Sequence, residues 1–190
     1  MNLEELALSM LNCEQTKNQT VFQHGVSVYE YFLKLKESET KDFKLPKWFI
    51  HKDFIYSNLY NDETICLYTK FHDCGKPIVR TFDFEGKIHF PNHAEVSKKI
   101  FFEVTGDELV SNLIGWDMVL HTSTADEIDN YLKNIWSIKD SFTLLLVSLA
   151  EIHSNANLFG GTQSDSFKSK FKKIEQRGNQ ICKYYIQTNK

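Results

Sequence analysis

Apolar residues recur at helical spacing along almost the whole of this 190-residue chain. In the segment 20–36, for example, Val21, Val28 and Phe32 lie on one stripe of a helix. A chain with this pattern can bury its apolar side chains by packing helices against each other, and it has little material for a large sheet. The sequence therefore predicts an all-α fold, a compact helical bundle.

One stretch, residues 78–90, interrupts the helical pattern. Its β-branched and aromatic residues flank Glu85 and Gly86, which is typical of a small β-hairpin.

No repeat or linker divides the chain, so we expect one domain over 1–190 with its core in about 20–155. The helices are predicted at 2–12, 20–36, 47–58, 61–75, 92–104, 106–121, 125–134, 141–156 and 164–187.

The charge and cysteine content narrow the possible partners and the location. A net charge of −3 and a pI near 6.2 give no overall attraction to nucleic acid or to an anionic membrane, so any phosphate recognition must be local. The N-terminus is acidic and no apolar run approaches membrane length, so we expect no membrane association. The cysteines are scattered without a CxxC pair, which predicts reduced thiols in a cytoplasmic protein: Cys13, Cys66, Cys74 and Cys182.

Several titratable residues lie on predicted apolar stripes, where burial is costly. A single histidine in such a place is more often a satisfied core residue than a ligand. A set of four histidines and two acids from five helices is different, because its desolvation requires a shared compensating group. A divalent metal ion provides that compensation. The set consists of His24, His72, Asp73, His93, His121 and Glu151.

Residues 72–77 read HDCGKP and contain the adjacent acid and histidine of this set. A glycine followed by a lysine and a proline predicts the end of a helix. That interpretation accounts for Gly75, Lys76 and Pro77 but leaves His72 and Asp73 without an explanation.

The ordered pattern of His24, the His72-Asp73 doublet and a late acid resembles the signature of the HD-domain metal-dependent phosphohydrolases. Residues 72–96, HDCGKPIVRTFDFEGKIHFPNHAEV, are similar to the HD domains found with tRNA CCA-adding enzymes. There the motif is followed by a small hairpin and a helix that begins with histidine. The resemblance covers about 20–155 and is strongest at 70–100.

The resemblance implies a ligand role for each residue of the set. His24, His72, Asp73 and the late acid would bind one metal, and His93 and His121 match the additional histidines of members with two metals. The family has Asp at the late position, where this chain has Glu151. The implied cofactor is one or two divalent ions of Mn, Fe, Co, Ni, Zn or Mg.

The implied activity is hydrolysis of a phosphoester by a metal-activated water, with Asp73, His93 and His121 in catalytic roles. Lys76 and Arg80 are candidates for binding the phosphate, although a helix-end charge and a surface hairpin position explain them as well. The preferred substrate is a nucleotide or an RNA end, with 2′,3′-cyclic phosphodiesterase or phosphatase activity first and nucleotidase activity next. The alternatives are a non-catalytic HD module that binds nucleotide, RNA or a protein, and a purely structural role for the histidines.

The basic C-terminal segment and three further histidines are weaker candidates for binding. The helix at 164–187 is basic and aromatic, and it either contacts nucleic acid or is a solvated amphipathic helix. Three histidines stay outside the metal set. His153 points away from Glu151 on an ideal helix, His89 lies in the hairpin, and His51 has no evident partner.

Overall fold

The computed structural model describes residues 1–187 and confirms the all-α prediction. Single turns of 3₁₀ helix occupy Lys47–His51 and Ala156–Phe159, and a π-helical turn occupies Lys183–Gln187. The α-helices are α1 (Leu3–Leu11), α2 (Val21–Lys36), α3 (Lys52–Ser57), α4 (Asp62–Phe71), α5 (Lys76–Val79), α6 (His93–Thr105), α7 (Glu108–Trp116), α8 (Val119–Thr122), α9 (Ala125–Asn134), α10 (Ile138–Ser154) and α11 (Asp165–Cys182).

Two short antiparallel ribbons accompany the helices. The predicted hairpin is confirmed as β3 (Thr81–Phe82) paired with β4 (Ile88–His89). A second ribbon, β1 (Glu14–Thr16) with β2 (Gln19–Thr20), was not predicted. Its strands contain only polar residues, so they show none of the apolar alternation by which a strand is recognised.

The HDCGKP motif does not end a helix in the way its composition suggests. The predicted helix 61–75 stops at Phe71, residues 72–75 form turns, and Pro77 lies in the first turn of a new helix, α5. Gly75 has an ordinary φ of −81°. A Cβ at Gly75 would lie 2.6 Å from the backbone nitrogen of Ser97. The glycine is therefore required by close contact with α6, and the prediction that it terminates a helix is wrong.

Helix starts were predicted more accurately than helix ends. Thr124 and Glu127 form the predicted capping box at the start of α9. The predicted helix 106–121 is in fact broken into α7 and α8. Asp117 lies at the break, and its carboxylate accepts a 2.6 Å hydrogen bond from the hydroxyl of Tyr68.

The described chain forms two compact units, each assembled from two separate stretches. The first unit contains residues 1–29 and 62–117, and the second contains 30–61 and 118–187. In the first unit α6 and α4 pack against α7, and α5 packs against α6. In the second unit α10, buried along almost its whole length, packs against α11. The expectation of one domain over 1–190 stays a prediction.

No helix within residues 1–187 combines the length and the apolar character needed to cross a membrane.

Candidate metal centre

Close packing of α2 against α4 brings the first two predicted ligands together in the first unit. A Cβ at Gly25 would lie 2.5 Å from the carbonyl oxygen of Lys70, so only glycine allows this approach. His24 precedes Gly25, and His72 follows the end of α4. Their rings meet edge to face with centroids 5.2 Å apart, and both side chains are buried.

The carboxylate of Asp73 is the point on which three imidazoles converge. Its Oδ2 lies 3.2 Å from Nε2 of His72 and 3.9 Å from Nε2 of His24. Its Oδ1 lies 3.4 Å from Nε2 of His93, which comes from the first turn of α6. Asp73 itself is only 2% exposed. Four of the six predicted ligands thus form one cluster within the first unit.

The hydrogen bonds of His72 and His93 fix which ring nitrogen faces the carboxylate. Nδ1 of His72 lies 2.7 Å from the carbonyl oxygen of Thr69, and Nδ1 of His93 lies 3.0 Å from that of Phe90. A carbonyl only accepts, so each Nδ1 bears the hydrogen and donates it. In a neutral ring the lone pair of Nε2 then points toward Asp73. This is the arrangement that metal-binding histidines adopt, with Nδ1–H held by a backbone carbonyl.

With neutral rings, acceptor atoms face each other at these distances, so a positive charge must compensate them: a proton on Nε2, the ammonium of Lys76 or a metal ion. Ligand atoms bound to one ion at roughly 2.1 Å are about 3.0–3.4 Å apart at tetrahedral to octahedral angles. The separations of Asp73 from His72 and His93 match this range, and that from His24 is slightly longer. The donor set therefore fits a divalent metal in both chemistry and spacing.

Lys76 supplies a positive charge at the same carboxylate. Its Nζ lies 2.6 Å from Oδ2 of Asp73 and donates to Oε1 of Gln15 at 3.1 Å. Burial raises the pKa of Asp73, but His72 and His24, in their protonated forms, and the ammonium of Lys76 outweigh it and hold this pKa well below the usual range. Asp73 is therefore an ionised carboxylate, the form that binds a metal.

Ser97 on α6 holds the turn that contains the doublet. Its Oγ accepts the backbone N–H of Gly75 at 2.8 Å, and its carbonyl accepts the thiol of Cys74 at 3.4 Å. Ser97 follows His93 by four residues, so both lie on the same face of α6. The contacts of Ser97 thus fix the helix face that presents His93 to Asp73. Sequence reasoning missed Ser97, although its spacing from His93 was a usable signal, and it missed Gln15 and Gly25, for which there was none.

The other two predicted ligands form a pair within the second unit. Nε2 of His121 on α8 lies 3.2 Å from Oε2 of Glu151 on α10. Both side chains are partly exposed, at 15% and 17%. Lys173 on α11 donates to the carbonyl of His121 at 2.8 Å. That His121 and Glu151 belong to the ligand set of the first unit's residues stays a prediction.

Arg80, the second candidate for binding phosphate, contacts an aromatic ring of the hairpin. The guanidinium of Arg80 lies 5.0 Å from the ring centroid of Phe82. Burial raises the pKa of the Cys13 thiol, while the charges of Arg80 and Lys76 lower it.

In the basic helix α11, Lys173 and Arg177 donate to the carbonyls of His121 and Ser123. These two cations therefore support the fold, whereas Lys168, Lys170 and Lys172 remain exposed. These two bonds support the interpretation of the segment as an amphipathic helix that packs on the fold, and contact with nucleic acid stays a prediction. Lys190, a further basic residue after this helix, lies outside the described residues.

Comparisons with protein-family models and with curated proteins give no match. The resemblance to HD-domain phosphohydrolases consequently rests on the HDCGKP motif and on the order of the residues around it. The geometry of His24, His72, Asp73 and His93 is independent of that resemblance, because it follows from contacts in the structure.

Proposed function

We propose that this chain is a metal-dependent phosphohydrolase of the HD type. The observation that carries the proposal is the convergence of His24, His72 and His93 on the buried carboxylate of Asp73. In His72 and His93 the Nδ1–H bonds to backbone carbonyls direct Nε2 toward that carboxylate. The HDCGKP motif, which resembles the family signature, supports the same function.

His24, His72, Asp73 and His93 would hold a divalent ion. Mixed imidazole and carboxylate ligation suits Mn, Fe, Co, Ni or Zn, and Mg less well. Such an ion, when bound, supplies hydroxide at neutral pH and neutralises charge on the phosphoryl oxygens.

Other residues of the chain have roles that follow from their positions. Lys76 lies beside Asp73, where its ammonium can bind a phosphoryl oxygen, and Arg80, at the end of the same short helix α5, offers a fork of donors. Where the ion is held by His24, His72 and Asp73 alone, His93 stays free, and at 20% exposure it is the ring that a substrate can reach for proton transfer, because His24 and His72 are almost fully buried.

The substrate we propose is a phosphoester of a nucleotide or an RNA end. A 2′,3′-cyclic phosphodiester or a terminal phosphate comes first, and a free nucleotide comes next. The similarity of residues 72–96 to HD domains that accompany tRNA-processing enzymes supports this choice. The four cysteines are free thiols, which supports the proposed cytoplasmic location.

The close ion pair between Lys76 and Asp73 favours a second candidate, a non-catalytic HD module. At 2.6 Å the ammonium neutralises the carboxylate without a metal. This candidate predicts that nucleotide or RNA binding survives His72→Ala and that phosphate is never released.

The test combines metal analysis with a phosphoester panel. Purified protein should contain at least one equivalent of divalent metal and hydrolyse bis-p-nitrophenyl phosphate with added Mn or Ni. Asp73→Ala should lose both properties. Asp83→Ala is the matched control, because Asp83 also pairs with a histidine, His89 at 2.7 Å, but at an exposed hairpin position. Absence of metal and turnover in the wild type, or their persistence in Asp73→Ala, would reject the proposal.

A further inference from the structure

The second unit contains a pocket whose two walls come from elements far apart in the sequence. The 3₁₀ turn Lys47–His51 forms one wall, and the C-terminal end of α11 with the π-helical turn that follows it forms the other. The two walls pack closely, because a Cβ at Gly178 on α11 would overlap the indole of Trp48. With a volume of about 370 Å³, the pocket falls within the roughly 300–1,000 Å³ of small-molecule sites.

The polar lining of the pocket carries positive charge. Lys47 and His51 come from the first wall and Lys183 comes from the second, and all three side chains are exposed. Asn179, one turn before Lys183, adds an amide. Glu175, a further turn back, accepts the backbone N–H of Lys47 at 3.3 Å. No carboxylate within residues 1–187 lines the pocket itself, so its charge complements an anion.

The donors of this pocket are not engaged by the fold. The ammonium groups of Lys47 and Lys183 have no partner in the part of the chain that the structure describes, and neither has the ring of His51. Other cations of the second unit do contact carbonyls, hydroxyls or aromatic rings: Lys44, Lys52, Lys139, Lys170, Lys173 and Arg177. Unengaged donors collected in one concave site can bind an anion without first breaking an internal bond.

The rest of the lining is apolar. Trp48 and Cys182 are buried, and Ile186 is partly exposed. Burial raises the pKa of the Cys182 thiol to about 12, so this side chain is neutral and adds no negative charge. Pockets for organic ligands combine an apolar surface with a few polar groups that fix the orientation. An inorganic anion would contact the polar groups alone and leave the apolar surface uncovered.

We infer that this pocket binds a small organic phosphate. The ammonium groups of Lys47 and Lys183 hold the phosphate group, with the ring of His51 as a further donor, and the carbon body lies against Ile186. A phosphate monoester has nearly two negative charges and three acceptor oxygens at pH 7, which matches two ammonium groups better than the single charge of a carboxylate does. None of these residues belongs to the candidate metal centre, so the inference does not rest on the proposed function.

The test uses two phosphonates, which contain no ester bond to hydrolyse. Phenylphosphonate carries an apolar ring and methylphosphonate does not. Each is titrated in EDTA into ¹⁵N-labelled protein, and the indole N–H resonance of Trp48, assigned with Trp48→Phe, reports on the pocket. Phenylphosphonate should shift this resonance and bind about tenfold more tightly than methylphosphonate, because partial burial of a phenyl ring contributes roughly 1.4 kcal/mol.

Paired variants of equal charge decide whether the pocket is specific. Lys47→Ala/Lys183→Ala should weaken phenylphosphonate binding at least about tenfold, since both contacts to the phosphonate are lost. Lys168→Ala/Lys172→Ala is the matched control, because it removes the same charge from exposed positions of α11 outside the pocket. It should change the affinity by less than about threefold. Both double variants should keep the wild-type melting curve, because the replaced side chains are exposed.

Three outcomes would overturn the inference. The first is phenylphosphonate binding that leaves the indole resonance of Trp48 unshifted, or no binding at all. The second is an equal loss of affinity in the two double variants, which would indicate attraction by net charge alone. The third is equal affinity for the two phosphonates, which would indicate a site for a plain anion. Absence of metal and of turnover would reject the proposed function but would leave these titrations unaffected.

Discussion

His72 in the first unit and His153 in the second are equally buried, at 3% exposure, but their rings are used differently. In His153, Nδ1 donates to the carbonyl of Leu149 at 2.9 Å and Nε2 accepts the N–H of Lys44 at 3.1 Å. In His72, Nδ1 also meets a carbonyl, but Nε2 faces the carboxylate of Asp73. Burial alone therefore does not distinguish the two rings, and the partner of the second nitrogen does.

The surroundings of the two rings also differ, because those of His153 are aromatic and those of His72 include an ionised acid. The ring of His153 lies between those of Phe43 and Phe167, with centroids 4.7 and 5.2 Å away. Burial lowers the pKa of His153, so its neutral form is favoured. The ring of His72 lies against an ionised acid and a second histidine, His24. The first environment stabilises a neutral core residue, whereas the second is the place where we propose a cation binds.

The largest expected effect is a difference in metal affinity between variants of His72 and of His153. His72→Ala removes a ligand, and we expect metal affinity to fall at least about 1,000-fold, or roughly 4 kcal/mol. His153→Ala should leave metal affinity within about twofold, although it destabilises the fold by about 2–4 kcal/mol through a cavity and an unpaired N–H. Isothermal titration with Mn or Zn measures the first quantity, and urea unfolding the second. Equal losses of affinity in both variants would erase the distinction.

The next effect tests how the doublet is held. Gly75→Ala places a Cβ 2.6 Å from the backbone nitrogen of Ser97, which cannot move without displacing α6. We expect a loss of about 2–3 kcal/mol in the free energy of unfolding, together with weaker metal binding. Gly115→Ala is the control, because its Cβ meets only the flexible side chain of Lys98. Its unfolding free energy should change by less than about 1 kcal/mol, and similar losses in both variants would argue against the close-contact role.

A smaller effect is expected from the serine that holds the turn. Ser97→Ala leaves the N–H of Gly75 buried without its acceptor, which costs about 1–2 kcal/mol. Metal affinity should fall about tenfold, since His93 lies on the same helix face. Ser111→Ala is a matched buried serine that bonds only within its own helix, to the carbonyl of Asp107. Titration of both variants should show a loss for Ser97→Ala alone, and an unchanged affinity there would remove Ser97 from the site.

The smallest effect concerns pH and the second unit. The pKa of His153 is lower in the folded state than its ordinary value of 6.5, so the unfolded chain takes up the proton first. Stability is therefore complete above about pH 6.5 and falls as the pH drops below that value. His153→Gln, which has a donor and an acceptor but does not titrate, should lose less stability between pH 7.5 and 5.5. Urea unfolding at both values tests this, and parallel losses in the two proteins would contradict it.

Much of the fold could be predicted because helical periodicity is a property of the sequence alone. The helices, the hairpin at 81–89 and the capping box of Thr124 and Glu127 followed from spacing and local chemistry. The break after Phe71 could not be predicted, since the composition of HDCGKP suits a helix end at Gly75 equally well. The role of Gly75 depends on α6, which is more than 15 residues away in sequence.

Four of the predicted ligands do lie together, their role in binding a metal stays a prediction, and their supporting contacts were not predictable. His24, His72, Asp73 and His93 were identified because buried titratable groups need a shared partner. Gln15 lies in a polar ribbon and gave no signal, and Ser97 gave only its four-residue spacing from His93; their bonds to Lys76 and Gly75 required the structure. The distinction between His72 and His153 likewise required the positions of the backbone groups around each ring.

Anomalous diffraction from crystals grown with Mn tests the central claim, that Asp73 shares a metal ion with His24, His72 and His93. The account predicts an anomalous peak about 2.0–2.3 Å from Nε2 of His72 and from the carboxylate of Asp73. It also predicts that Nε2 of His153 keeps the N–H of Lys44 and has no peak beside it. A Mn-containing crystal in which Asp73 keeps its ion pair with Lys76, with no peak among His24, His72 and His93, would contradict the account.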